Sequence, residues 1–182
     1  MDLVDASTLD LPWPAQGLVA VMIGRDILGL PLDHGELGEW LREPQHRIAG
    51  VVVRGDLRAK YPIVNGSEDG PFLWVQGDLK APAMLLRTSK VRVDGDVDCR
   101  FLHGPLEVLG DARATVVQGG PITIAGNLAA TLALGDVIAT TEFVAFRTNS
   151  SVRQELRNGR GVSVARMLHA LEGDEPLLEE PS

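Results

Sequence analysis

Three aspartates stand at alternate positions in the stretch VDGDVDCR, as Asp94, Asp96 and Asp98, with Cys99 immediately after them and His103 four residues further on. A calcium-binding loop opens this way, because it draws oxygen ligands from its first, third and fifth residues. The likeness ends at the sixth position, where the sharp turn needs glycine and Cys99 stands, and at the twelfth, where a bidentate glutamate is needed and Pro105 stands. The pattern therefore predicts structural and solvated carboxylates rather than a metal site. Cys99 reads as a buried small hydrophobe rather than a nucleophile. The remaining histidines, His34, His46 and His169, have no paired spacing suited to a metal, and the chain contains no Gly-x-Ser-x-Gly, phosphate loop or Cys-x-x-Cys. NGRGVS, residues 158 to 163, reads as a turn between helices, since no strand leads into it. The expectation is a chain without an enzymatic centre, a metal or a cofactor.

Two further motifs belong to secreted proteins: Arg54-Gly55-Asp56 as an adhesion tripeptide and Asn65-Gly66-Ser67 as a glycosylation acceptor. The opening residues MDLVDASTLDLPWP carry three acids and no basic region before an apolar run, so no secretory signal is legible. The longest apolar stretch, GLVAVMIG, falls far short of the roughly 20 residues of a membrane span. The expected location is the cytoplasm, with the tripeptide incidental and the Asn-Gly-Ser a loop tip.

The tripeptide has a different explanation in the elements around it. VVVRGDLRA returns as LWVQGDLKA, VRVDGDVDC, LEVLGDARA and, with asparagine, ITIAGNLAA. Aligned on Gly55, Gly77, Gly95, Gly110 and Gly126, the positions four and two before glycine are aliphatic throughout, and so, apart from Ala112, is the second after it. The fourth after it is Ala59, Ala81, Cys99, Ala114 and Ala130, a column of small residues, and a weaker echo follows at Gly135-Asp136. Alternation up to a Gly-Asp corner, resumed after it and repeated turn on turn, predicts an all-β parallel β-solenoid of about five to six turns. Glycine would supply a corner open to positive φ, and its aspartate would bond the backbone of the turn. Extra residues such as YPIVNGSEDGP would bulge out as loops.

The repeats span residues 51 to 148. Residues 1 to 50 read as an N-terminal capping segment, with a short helix in DHGELGEWLREP: Asp33 as its cap, Leu37, Trp40 and Leu41 on one face, and Pro44 as its stop. Residues 149 to 173 read as a helical cap of two helices, SSVRQELRNGR and SVARMLHALEG, the second with Val164, Met167, Leu168 and Leu171 on one stripe. Residues 174 to 182 read as a disordered acidic tail. Covered ends matter, because open strand edges invite polymerisation. The net charge of -8 disfavours direct nucleic-acid binding, and the acidity lies in the flanks: eight acids against three bases in residues 1 to 50, eleven against ten in 51 to 148.

At VVVRGDLRA, LWVQGDLKA, VRVDGDV and FLHGPLEVLGDARA, covering about residues 50 to 148, the chain resembles small bacterial β-solenoid proteins of polymer-forming or bactofilin-like type that occur as immunity proteins of polymorphic toxin systems. Of that group's Tyr-Asn-His-Gly turn only His103-Gly104 remain here, and VRQELRNGR is similar to its short closing Leu-x-x-Gly helix. The resemblance implies an immunity protein that binds and neutralises a cognate toxin acting in the cytosol. An acidic inhibitor suits a basic nuclease, since complementary charge speeds association. Candidate partner contacts are Asp33, Glu36, Glu39, Glu43, Glu68, Asp69, Trp74, Asp94, Asp98 and Glu107. The alternative is a bactofilin-like self-assembling cytoskeletal scaffold. The covered ends favour a monomer or small oligomer, and hence the binder.

Overall fold

A computed structural model describes residues 1–87, 90–134, 137–139, 142–145, 152–158 and 161–179. In chain order the elements are β1 (Asp2–Asp5), β2 (Leu18–Ile27), α1 (His34–Trp40), β3 (Ile48–Ala59), β4 (Ile63–Val64), β5 (Phe72–Val75), β6 (Leu79–Leu85), β7 (Val91–Val93), β8 (Val97–His103), β9 (Leu106–Val108), β10 (Ala112–Gln118), β11 (Ile122–Ile124), β12 (Asn127–Leu134), β13 (Val137–Ala139), β14 (Glu142–Ala145), β15 (Arg157–Asn158), β16 (Gly161–Val162) and α2 (Val164–Glu172).

The expected parallel β-solenoid is what the chain forms. Short strands β5, β7, β9, β11 and β13 stack in parallel along one side, and long strands β6, β8, β10, β12 and β14 along the next. β5, β7 and β9 lead through a Gly-Asp corner, and β11 through Gly126-Asn127, into the long strands that follow them. β3 is a single strand that spans both stacks, pairing β5 through Gly50–Val53 and β6 through Leu57 and Arg58.

The register confirms the sequence columns. Leu79, Val97, Ala112 and Leu128 are aligned, as are Ala81, Cys99, Ala114 and Ala130, and all are buried in one central core. The inward parity then changes: Met84, Leu102 and Val117 face the core, whereas Ala83, Phe101, Val116 and Leu132 join a second apolar cluster outside it. β6, β8, β10 and β12 therefore turn a corner at Pro82, Arg100, Thr115 and Thr131, and their second halves form a third side of the coil.

Several expectations are corrected. The coil begins before residue 51, because β2 runs parallel to β3 from Leu18 to Ile27. YPIVNGSEDGP is partly built in: β4 pairs with β6, Ile63 is fully buried and Asn65 is only 2% exposed. Asn65 accepts the Ser67 N–H at 3.0 Å, so it anchors the loop from inside and is no loop tip. The first of the two C-terminal helices is a 3-10 turn at Gln154–Leu156 followed by the β15–β16 hairpin. Leu156 there drops into the outer apolar cluster, and Arg153 is tied to Glu155 and Glu175. Packing and ion pairs, not helix propensity, set that stretch.

α2 does form, with Ser163 at its start, Gly173 at its end, and Met167 and Leu171 buried. It lies along the side of β6 and β8 instead of across the end of the coil. The tail is packed as far as residue 179, with Leu177 buried and Leu178 bridged to Val152. The apolar pair in PLLEE explains this: burying leucine is worth about 2 kcal/mol. The Gly135-Asp136 echo falls outside the described residues. At the upstream end β1 pairs antiparallel with β2, and Leu37 of α1 and Leu41 just after it enter the central core. No helix among the described residues is long and apolar enough to cross a membrane.

Candidate binding surfaces

The Gly-Asp corners form a continuous ladder. The Asp56 Oδ1 accepts the backbone N–H of Asp78 at 3.0 Å, Asp78 that of Asp96 at 2.9 Å, Asp96 that of Asp111 at 2.8 Å, and Asp111 that of Asn127 at 2.8 Å. Each carboxylate thus bonds the following rung rather than its own turn, which corrects the expectation from sequence. The glycines are explained differently as well. Only Gly55 of the five has positive φ, at 99°. At the others the rungs approach too closely for a side chain: a Cβ on Gly95 would lie 2.7 Å from the carbonyl of Gly77 and against Asp78. The adhesion-like tripeptide is one rung of this ladder.

The three alternate aspartates do not converge. Asp96 belongs to the ladder, Asp94 accepts from Trp74 and Arg92, and Asp98 pairs with Lys80 at 2.7 Å. Cys99 between them is buried, and burial together with Asp98 pushes its thiol up to about 12, so it stays protonated and unreactive at neutral pH. A trough of about 410 Å³ runs along the corner, with the ladder aspartates on one wall and Arg58, Lys80, Asp98 and Arg113 on the other. One wall is acidic, and the other carries three bases and one acid.

On the outer face of the short strands, cross-strand neighbours Trp74, Arg92 and Glu107 form a polar network with Asp94. The Trp74 indole N–H donates to Asp94 Oδ2 at 2.9 Å, Arg92 Nε donates to Asp94 Oδ1 at 2.6 Å, and Arg92 reaches Glu107 at 3.7 Å. Trp74 is half-buried against the N-terminal arm, whose Trp13 meets Phe72 at 5.8 Å. The sequence singled out Trp74, Asp94 and Glu107, and missed the arginine that joins them.

The acidic candidates of the first two rungs lie elsewhere, and of them Asp33, Glu68 and Asp69 come close together. Glu36 and Glu39 are exposed on α1, and Glu43 accepts from Gln45 and faces His46. Asp33 follows Leu32, whose N–H bonds Val64 and whose carbonyl abuts Gly70. That contact brings Asp33 to the turn holding Glu68 and Asp69. Asp98, on the long-strand side, joins neither group.

A third surface was missed altogether. The outer cluster on the third side carries α2 and the tail, pinned by Gln118, whose Oε1 accepts the Val162 N–H at 3.0 Å, and by Arg100, which donates to Asp174 at 2.7 Å and to the Glu175 carbonyl at 2.8 Å. His103 lies in the same row as Gln118 and stacks on Phe101, and burial holds its imidazole below the ordinary histidine range. The signal was present in AML, FL, VV and TLAL, where apolar residues adjoin instead of alternating, as they must when both faces of a strand are covered.

No family model matches this chain, and neither a curated protein nor a solved structure matches it.

Proposed function

We propose that the chain is a protein-binding solenoid of immunity type, which neutralises a cognate toxin acting in the cytosol, most simply a basic nuclease. The observation that carries this reading over self-assembly is β1. A solenoid that polymerises end to end needs the edge of its first rung open to a parallel strand, and here Leu18–Val21 of β2 are already occupied by an antiparallel strand. Supporting it further, the ladder carboxylates hold rungs together, and at the upstream corner Asp33 stands beside the turn that carries the exposed Glu68 and Asp69. An acidic corner on a rigid coil suits a basic partner, because complementary charge raises the association rate and fixes orientation. No catalytic role is assigned to any residue.

The bactofilin-like scaffold is the second reading, favoured by β13 and β14 standing last in the strand order, with no strand beyond them among the described residues. Two measurements separate the readings. Co-expression with the product of the gene immediately upstream is expected to rescue growth and give a stable complex on a sizing column, and the absence of both would sink the immunity reading. Filaments of the purified chain at micromolar concentration, seen by electron microscopy, would establish the scaffold instead.

A further inference from the structure

The apolar row on the third side of the coil is only partly covered. Under α2 and the tail, Ala83, Leu85, Phe101, Val116 and Leu132 are between 0% and 6% exposed. Upstream on the same side the row is open: Leu28 is 66% exposed, Tyr61 53% and Val64 43%. Val64 continues the covered row, and Leu28 and Tyr61 pair beside it. Val64 is in register with Leu85, Pro31 bridges Val64, and the Tyr61 N–H bonds the Leu28 carbonyl at 2.5 Å, so residues 28–31 and 61–64 lie side by side in parallel.

We propose that this open patch docks an amphipathic helix of a partner protein, with an apolar stripe on Leu28, Tyr61 and Val64 and basic residues over Asp33, Glu68 and Asp69. The proposal deepens the binder reading and rests on it. Three observations choose the occupant. The chain covers the downstream part of this row with a helix of its own, α2, so a second helix would extend a layer that already exists. The in-plane backbone groups of residues 61–64 are used on both sides between rungs, so that stretch offers side chains to a helix rather than a ladder edge to a strand. The patch is bordered by the acidic corner described above, which attracts a basic helix and would repel the same corner of a second copy.

The test uses the full chain and a fluorescein-labelled 18-residue leucine/lysine amphipathic peptide, with its leucine/glutamate counterpart as control, followed by fluorescence anisotropy. Saturable binding of the lysine peptide alone is expected. Leu28→Ser with Tyr61→Ser should weaken it at least tenfold and Glu68→Lys severalfold, while Leu109→Ser at the corner ridge leaves it unchanged. All of these positions are exposed, and unchanged circular dichroism confirms that the variants fold. No saturable binding, equal binding of both peptides, or indifference to the double substitution overturns the proposal. A concentration-dependent dimer abolished by the double substitution also overturns it, by assigning the patch to a second copy. Because the probe is not the toxin, peptide binding at the patch without rescue of growth would remove the immunity reading alone, and rescue without peptide binding would remove this inference alone.

Discussion

Asp78 Oδ1 accepts the backbone N–H of Asp96 at 2.9 Å, so a side chain on one rung replaces a main-chain partner on the next. The aspartate column is therefore a second ladder, alongside those of the strands, holding the corner where the chain leaves one stack for another. Replacing Asp78 with alanine is expected to cost about 1 kcal/mol, the worth of one such bond. Asp78→Asn should cost less than half of that, since an amide oxygen accepts the same N–H and Asn127 already occupies the column. Urea denaturation measures both, and equal losses for the two variants would show that the bond contributes nothing.

The glycines of the ladder separate two requirements that a sequence pattern merges. At Gly95 a Cβ would meet the Gly77 backbone at 2.7 Å, whereas at Gly55 the nearest atoms lie at 3.8 Å and the demand is for positive φ. Gly95→Ala must spread two rungs and should cost about 3 kcal/mol, the upper end of overpacking. Gly55→Ala should cost about 1–2 kcal/mol, and Gly55→Asn less, because asparagine tolerates that region. The opposite order in thermal melts would mean that close approach is not what the column selects.

His103 supplies a pH dependence. Burial lowers its affinity for a proton in the folded chain, whereas the unfolded chain binds one near the ordinary histidine value of about 6.5. Stability from this group is thus fully present above pH 6.5 and is lost as the pH falls below it, because the unfolded state takes up the proton first. Gln118 and Phe101 are its immediate neighbours, and Arg87 adds a like charge that works in the same direction. The urea midpoint should fall between pH 7 and pH 5, and His103→Gln should flatten that part of the profile. A His103→Gln profile parallel to the wild type would remove His103 as the cause.

The coil itself was legible because period-2 alternation and the Gly-Asp corner both repeat, so Val91, Val93, Val97 and Cys99 could be assigned inward positions from their equivalents on other turns. What lay outside the repeat was not. Arg92 varies from rung to rung, and nothing local marks its link between Asp94 and Glu107. The stretch before Leu156 has helix-compatible residues, yet its conformation is decided by Glu175, some 20 residues away in sequence. Covers over the side of a coil leave a trace only in the strands they hide. That trace, two adjacent apolar residues in place of alternation, is weak in any one rung and clear only when Phe101-Leu102 and Val116-Val117 are set against the alternating halves of the same strands.

The same doublets predict what happens when the cover is loosened. Gln118 exchanges hydrogen bonds with Val162, accepting the N–H at 3.0 Å and donating to the carbonyl at 3.4 Å, so it fixes the β15–β16 hairpin on the third side of the coil. Gln118→Ala leaves the strand and the inward Val117 untouched but removes that tie. The C-terminal segment should then open more often, and limited proteolysis should cut between residues 152 and 179 severalfold faster than in the wild type, with the coil before it intact. Phe101→Ser acts on the same cover from the apolar side. It removes a ring that is fully buried under the segment, and the loss should be about 3–5 kcal/mol, the scale of deleting a buried aromatic. If cleavage in Gln118→Ala instead began in the rungs, or if Phe101→Ser melted like the wild type, the C-terminal segment would not be the cover that its contacts describe.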